Sequence, residues 1–173
     1  MANNSILNKA RYTENTDEWY TDYVTVESEV SHYSEQFQGK VVLCNCDDPY
    51  KSAFTTYFLK NFNTLKLKKL ICTSYKGSRI VDQSTIVDDN YSPLVDNAAY
   101  VMVVEQFPNI EEGLLQGDSI ADLINKLKVV KKLKGDGDFR SEECVEYLKE
   151  ADIVVTNPPF SKFIDLFSLL VKY

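Results

Sequence analysis

The chain has 173 residues, of which 44% are apolar and 12% aromatic, so it can bury one hydrophobic core and is not disordered as a whole. Its 19 Lys and Arg residues and 26 Asp and Glu residues give a net charge of −7, which excludes a protein that coats nucleic acid by overall positive charge. The single histidine, His32, excludes sites that need two, such as H-E-x-x-H zinc centres, and any Ser-His-Asp triad would have to use it.

Four cysteines stand at positions 44, 46, 72 and 144, and none of their spacings is typical of zinc or thioredoxin-like sites. We therefore expect buried free thiols, which suit a reducing, cytoplasmic location. The first residues contain no apolar run typical of a signal peptide. No stretch approaches the roughly 20 apolar residues that a membrane span needs.

The first half of the chain predicts a strand-helix-strand unit. A polar leader, 1–16, precedes a partly helical segment, 17–37. The continuous apolar run 41–44 predicts a strand that is buried on both faces, as in a parallel sheet. The apolar residues of 51–62 recur at helical spacing, and 68–73 predicts the second strand.

The middle of the chain separates its charges by sign. Residues 76–118 are predicted to be an acidic insertion, although Tyr100–Val104 within them is strongly β-prone. Residues 88–118 contain seven acids and no Lys or Arg, whereas residues 126–134 contain five lysines and no acid. This change predicts a solvated acidic segment followed by a basic helix or loop, with two ordinary solvated faces as the alternative.

The last part repeats the order of helix, strand and helix. Ser141 can cap a helix whose first turn is acidic. Residues 152–156 predict a buried strand. Residues 161–172 predict a helix with one apolar face, formed by Phe163, Leu166, Phe167 and Leu170. In open α/β sheets, ligands bind at the carboxyl ends of the strands. The candidate turns there are 45–49, 135–140 and 157–160.

The tetrapeptide Asn157-Pro158-Pro159-Phe160 is the most informative of these turns. Two prolines cannot continue a strand and fix the backbone that follows it. One interpretation is a rigid turn with Phe160 in the core. The other is methyl transfer to an exocyclic amino nitrogen, because an Asn oxygen and a Pro carbonyl can accept both N–H bonds where positive charge develops. Phe160 would then stack on a base turned out of its duplex.

Four stretches in this order resemble the EcoRI-type adenine-specific DNA methyltransferases: D-E-W-Y-T at 17–21, V-V-L-C-N-C-D-D-P at 41–49, K-G-D-G-D-F-R-S at 134–141 and A-D-I-V-V-T-N-P-P-F at 151–160. The resemblance implies an α/β, Rossmann-like class I methyltransferase sheet, mostly parallel, over residues 17–173. It also implies S-adenosylmethionine as methyl donor, the N6 amino group of adenine in DNA as target, and a role in restriction-modification.

The resemblance also implies roles for individual residues. The donor would contact Trp19, Tyr20 and Thr21 in the first stretch, and Asn45, Asp47, Asp48 and Pro49 in the second, where a carboxylate could bind its amino or ribose groups. Asp138 would accept from the donor's adenine and Phe139 would lie against that ring. Asn157, Pro158, Pro159 and Phe160 would hold the target adenine, and no metal is implied.

The chain departs from the family pattern in three ways. It has no G-x-G-x-x-G, its second strand ends in Thr73-Ser74-Tyr75 without a carboxylate for the ribose, and it ends one helix after Phe160. We therefore expect a sheet that is incomplete on its C-terminal side, completed by a second chain or a further C-terminal region. The alternatives are an S-adenosylmethionine-binding or interaction module without catalysis, and an RNA or protein amino-methyltransferase.

Overall fold

The computed structural model describes residues 21–50, 52–76, 98–108 and 119–173. Its helices are α1 (Tyr23–Ser31), α2 (Ala53–Lys60), α3 (Ser119–Leu127), α4 (Glu142–Glu150) and α5 (Phe163–Lys172), with short 3₁₀ turns at Ser34–Phe37 and Phe160–Lys162. Its strands are β1 (Val41–Asn45), β2 (Lys69–Thr73), β3 (Tyr100–Val104), β4 (Val130–Lys132) and β5 (Ile153–Val154).

The five strands form one sheet in the order β4-β3-β2-β1-β5. Strand β1 lies at its parallel centre, where Leu43 pairs with Ile71 of β2 on one side and with Val154 of β5 on the other. Strand β3 runs antiparallel to β2, and β4 runs antiparallel to β3. The mixed α/β sheet with a parallel centre confirms the predicted Rossmann-like class. It also brings the carboxyl ends of β1, β2 and β5 to one edge.

Helices cover both faces of the sheet. Because successive strand residues point to opposite faces, β1 sends Val42 and Cys44 to one side and Val41 and Leu43 to the other. The first side packs against α1, α2 and α3, with Phe58 and Ile124 fully buried there. The second side packs against α4 through Cys144 and Leu148 and against α5 through Leu169 and Leu170. The buried run 41–44 is thus the centre of the protein, as its sequence predicts.

Segment 126–134 differs from its prediction as a basic helix or loop. It contains the end of α3 and the three-residue edge strand β4, whose Lys131 and Lys132 are exposed. An edge strand needs only one pairing neighbour, here β3, and lysines on it discourage further pairing. The prediction failed because two lysines in a three-residue strand leave no apolar run to recognise.

The last strand and helix are more exposed than the sequence predicts. Strand β5 has only two residues, Ile153 and Val154, and both are half-buried because β5 lies at the edge of the described sheet. In α5, Leu166 is buried as predicted, whereas Phe163 and Phe167 are exposed over more than half of their surface. Leu170 packs on the sheet as predicted, together with Leu169, which lies outside the predicted face.

All four cysteines are free; Cys44, Cys72 and Cys144 are buried and Cys46 is half-buried, which confirms the predicted free thiols. Among the helices in the described ranges, none has the length and apolar character that crossing a bilayer requires.

Candidate functional site

Three turns meet at the carboxyl edge of the sheet, and hydrogen bonds join them. The amide of Asp47, just after β1, donates to the carbonyl of Thr73 at the end of β2 over 3.1 Å. The hydroxyl of Thr156, just after β5, donates to the carbonyl of Asn45 at the end of β1. Cys46, between the two contacts, has a φ of +64°, a left-handed conformation that is uncommon outside glycine. The edge is therefore a continuous surface rather than three separate loops.

The β1 turn buries two adjacent carboxylates, those of Asp47 and Asp48. The hydroxyl of Ser52 donates to Oδ1 of Asp47 over 2.8 Å, while Oδ2 of Asp47 is buried without a hydrogen-bond partner in the described structure. Burial raises the pKa of Asp47 to about 7, opposed by the Ser52 hydrogen bond and assisted by the neighbouring charge of Asp48. This carboxyl group is poised to change its protonation state near neutral pH.

The same turn leads into helix α2. Oδ1 of Asp48 accepts from the amide of Tyr50 over 2.7 Å, a local bond that fixes the turn around the buried Pro49. The hydroxyl of Ser52 accepts from the amide of Thr55 and caps the helix. Ser52 thus serves the helix and Asp47 at once, a double role that the sequence analysis missed. The sequence does not reveal this double role, because a serine five residues after an acid is a common pattern.

The 135–140 turn packs against the end of β2. Gly137 has a φ of +75°, and a Cβ placed there would lie 2.1 Å from the carbonyl oxygen of Ser74 and 2.6 Å from the Cβ of Ala99. The carbonyl of Asp136 accepts from the amide of Lys76 over 2.9 Å. Gly137 is therefore required both for its backbone conformation and for the close approach of two backbones. The 135–140 turn is thereby held against the end of β2, where the carbonyl of Thr73 also accepts from the amide of Asp47.

The carboxylate of Asp138 is held ionised by Arg140. The Nε and Nη2 atoms of Arg140 contact Oδ1 and Oδ2 of Asp138 at 2.9 and 2.6 Å, which lowers the pKa of that carboxyl. The Nη1 atom reaches Asp165 of α5 at 3.1 Å. Phe139 is buried beneath Arg140, whose guanidinium lies 5.5 Å from the ring centre. The sequence analysis missed Arg140, although an arginine two residues after an acid was a readable signal.

The 157–160 turn is the open part of the edge. Asn157 is exposed, Pro158 and Pro159 are half-buried, and Phe160 exposes 64% of its surface. The interpretation of Phe160 as a core residue is therefore wrong, because the turn carries the ring outward. Nδ2 of Asn157 donates to Oγ1 of Thr21 over 3.4 Å, which joins two of the four matching stretches across 136 positions.

The predicted site residues that are described thus lie along one edge of the sheet or against it. Two of the predicted positions, Trp19 and Tyr20, lie outside the described residues. In the described ranges, no group of three or more His, Cys, Asp and Glu side chains is arranged to hold a metal ion. The arrangement offers buried carboxylates for cationic or hydroxyl groups and an exposed amide beside an aromatic ring.

Comparison with known proteins gives one consistent match. Residues 6–173 match the family described as adenine-specific methyltransferase EcoRI. The Type II methyltransferase M.EcoRI of Escherichia coli is 40% identical over 172 residues, which are 99% of this chain and 47% of that protein. The Type II methyltransferase M.MgeORF184P of Mycoplasma genitalium is 37% identical over 96% of this chain and 41% of its own length.

A third relative, the Type II methyltransferase M.MpnI of Mycoplasma pneumoniae, is 34% identical over 96% of this chain and 40% of that protein. The chain therefore spans less than half the length of each of these three relatives. No solved structure matches it.

Proposed function

Because the chain belongs to the EcoRI family of adenine-specific methyltransferases, we propose that it binds S-adenosylmethionine and directs methyl transfer to the N6 amino group of adenine in DNA. The observation that supports this most directly is the contact between Asn157 and Thr21. This contact supports the proposal because the turn expected to hold the target base then lies next to the stretch expected to touch the methyl donor. Transfer between two molecules requires such neighbouring sites.

The catalytic turn suits an amine that is a poor nucleophile. The lone pair of an adenine amino group is delocalised into the ring, and methylation requires it to localise on nitrogen. The amide oxygen of Asn157 and the carbonyl oxygen of Pro158 would accept the two N–H bonds as positive charge develops. Pro158 and Pro159 fix these acceptors, so they need no reorganisation during the reaction. The exposed ring of Phe160 would stack on the target base.

The donor side of the edge fits a ligand with a cationic group and an aromatic base. S-adenosylmethionine supplies a methyl group activated by its bond to a positively charged sulfur. Asp47 offers a buried oxygen with no hydrogen-bond partner in the described structure, which fits a hydrogen-bond donor on the ligand. Asp138, kept ionised by Arg140, offers acceptors to an amino group of the donor's adenine. Thr21, Asn45, Asp48, Pro49 and Phe139 complete this side, together with Trp19 and Tyr20.

A local basic segment supports DNA as the partner despite the net charge of −7. Lysines 126, 128, 131, 132 and 134 are all exposed; two of them, Lys131 and Lys132, lie on β4, and Lys134 follows two residues after its end. Exposed lysines of this density attract phosphates. The free thiols and a cellular DNA substrate both support a cytoplasmic location.

The test combines donor binding with transfer from labelled S-adenosylmethionine to adenine-containing duplex DNA, single-stranded DNA, RNA and protein. We expect measurable donor binding and slow transfer to adenine N6 in DNA, since the chain spans less than half of its relatives. Asn157→Ala should reduce transfer about 100-fold or more while donor affinity stays unchanged. Asn63→Ala, an exposed asparagine on another part of the surface, is the matched control and should change neither.

The alternatives make different predictions in the same experiment. Transfer to RNA or protein in preference to DNA would reassign the substrate. Donor binding without transfer to any of the four substrates would favour the non-catalytic module, because there would be no activity for Asn157→Ala to remove. Failure to bind the donor at all would refute the proposal.

A further inference from the structure

The backbone of Asn157 is restrained on both sides. Before it, the hydroxyl of Thr156 donates to the carbonyl of Asn45 and ties the end of β5 to the end of β1. After it, Pro158 confines Asn157 to extended backbone and has a fixed φ of its own. The side chain is therefore the part of Asn157 that can still turn. Its last torsion, which rotates the plane of the amide, has broad energy wells.

The orientation of this amide matters because its two ends have opposite hydrogen-bonding character. The oxygen Oδ1 accepts hydrogen bonds, whereas the nitrogen Nδ2 only donates them. An amine that is to be methylated presents N–H donors, so it requires Oδ1 and gains no bond from Nδ2. Asn157 is exposed, and an exposed amide that only water held would populate both orientations.

Thr21 contacts the donating end of the amide. Nδ2 of Asn157 donates to Oγ1 of Thr21 over 3.4 Å, a long bond whose contribution is therefore modest. Thr21 is half-buried and directly precedes Asp22, the N-cap of α1, whose carboxylate accepts from the amide of Thr25 over 3.0 Å. Helix α1 is anchored in the core by Val26, which is 1% exposed. The Thr21 hydroxyl is thus held at the start of an anchored helix.

We propose that Thr21 is a positioning residue for the transfer step: it accepts from Nδ2 of Asn157 and thereby turns Oδ1 towards the amino group of the target base. This inference rests on the proposed function. It gives the hydroxyl of Thr21 a role that is separate from any contact of Thr21 with the donor. An acceptor that is already oriented lowers the barrier, because it need not turn as charge develops.

Transfer kinetics of the whole chain separate this role from donor binding. Thr21→Val removes the hydroxyl and keeps the shape of the side chain. Turnover at saturating S-adenosylmethionine should fall about five- to tenfold, as expected for one neutral hydrogen bond, while the Kd of the donor changes by less than about threefold. Thr21→Ser keeps the hydroxyl and should restore turnover. Thr25→Val removes a hydroxyl that bonds Asp22 at the same helix start, and this matched control should leave turnover unchanged.

A double variant tests whether Thr21 acts through Asn157. In Asn157→Ala there is no amide to orient, so the addition of Thr21→Val should reduce turnover no further. If the two losses instead multiply, Thr21 contributes by a route that does not pass through Asn157.

NMR spectroscopy tests the orientation without requiring transfer. Loss of its signals in Asn157→Ala identifies the side-chain amide of Asn157. In the wild type we expect nuclear Overhauser effects between the Hδ2 protons of Asn157 and protons of Thr21, and slow rotation of the amide. Thr21→Val should make that amide more mobile. The internal control is Asn63, whose Nδ2 donates to the carbonyl of Phe107 over 3.1 Å and should be unaffected.

Four outcomes would overturn the inference. The first is unchanged turnover of Thr21→Val at saturating donor, which would leave Thr21 a donor contact alone. The second is a loss in Thr21→Ser as large as that in Thr21→Val, and the third is losses that multiply in the double variant. The fourth is a wild-type amide that is as mobile as in Thr21→Val or that turns Oδ1 towards Thr21. A chain with an ordered Asn157 amide that transfers no methyl group would instead refute the proposed function.

Discussion

The three glycines 39, 135 and 137 allow two contributions of a glycine to be measured separately. Gly39 has a φ of +70° with nothing within 4 Å of an added Cβ, and Gly135 has neither a positive φ nor a close neighbour. Gly137 combines a φ of +75° with an added Cβ that would lie 2.1 Å from Ser74. Gly39→Ala should therefore introduce backbone strain alone, and Gly135→Ala should introduce neither effect. Gly137→Ala should introduce both backbone strain and a steric clash.

The expected magnitudes follow from these two effects. A left-handed alanine costs about 1 kcal/mol, so Gly39→Ala should lower the free energy of unfolding by about that amount. Gly135→Ala should lie within about 0.5 kcal/mol of the wild type. At Gly137 the Cβ meets backbone that cannot rotate away, and the forced shift adds about 2 kcal/mol, for a total of about 3 kcal/mol.

Urea unfolding followed by circular dichroism measures all three variants under one condition. Thermal unfolding should show Gly137→Ala lower by roughly 10 °C, as expected for a chain of this size. Donor binding should also be lost in Gly137→Ala, because the displaced turn carries Asp138. An unfolding free energy of Gly137→Ala within about 0.5 kcal/mol of Gly39→Ala would refute the steric argument.

Three further predictions concern groups in or next to the 45–49 and 135–140 turns. Ser141→Ala removes only a helix cap and should lower the free energy of unfolding by about 1 kcal/mol. Ser52→Ala should lower it by about 1 kcal/mol more, because Asp47 also loses its hydrogen bond. Equal losses in chemical unfolding would contradict the second role of Ser52. Between pH 4 and 7 the folded state holds a proton on Asp47 that the unfolded state has released, so the free energy of unfolding falls as pH rises. The pKa of Asp47 is raised from 3.8 to about 7, which at roughly 1.4 kcal/mol per pH unit amounts to about 4 kcal/mol at most. Asp47→Asn should remove this pH dependence from the unfolding curves. Arg140→Gln should raise the pKa of Asp138, which NMR titration measures. It should also weaken binding of both S-adenosylmethionine and 5′-methylthioadenosine, which keeps the adenosine part of the donor. An unchanged pKa would show that Arg140 does not control this carboxyl group.

The order of the elements could be predicted because each apolar run is short, uninterrupted and bounded by polar turns. The run 41–44 is buried throughout, and Ser141 caps α4 as its position before two glutamates predicts. The direction of β3 could not be predicted in this way. An apolar run such as Tyr100–Val104 suits either direction, and the choice depends on how the preceding chain returns to the sheet.

The composition of the candidate site was predictable, but its electrostatics were not. The family resemblance predicts the same role, binding of the methyl donor, for both Asp47 and Asp138. The structure separates them, because Asp138 lies against Arg140 whereas Asp47 is buried beside Asp48. The groups that lie next to each acid depend on how deeply each turn is buried and on the direction in which it runs. The amino-acid sequence alone specifies neither. The same holds for Gly137, whose need for close approach arises from Ser74 on a distant strand.

The two edge strands of the described sheet, β4 and β5, differ in how readily each could pair with a further strand. On the β4 side, Lys131 and Lys132 would bring two charges into any new pairing. On the β5 side, Ile153 and Val154 are uncharged, and the neighbouring α5 exposes Ile164 over 77% of its surface. Of the two edges of the described sheet, the β5 edge is the one where an added strand would both gain backbone hydrogen bonds and cover apolar surface. A strand added at the β5 edge would lie beside the turn that carries Asn157, because that turn directly follows β5.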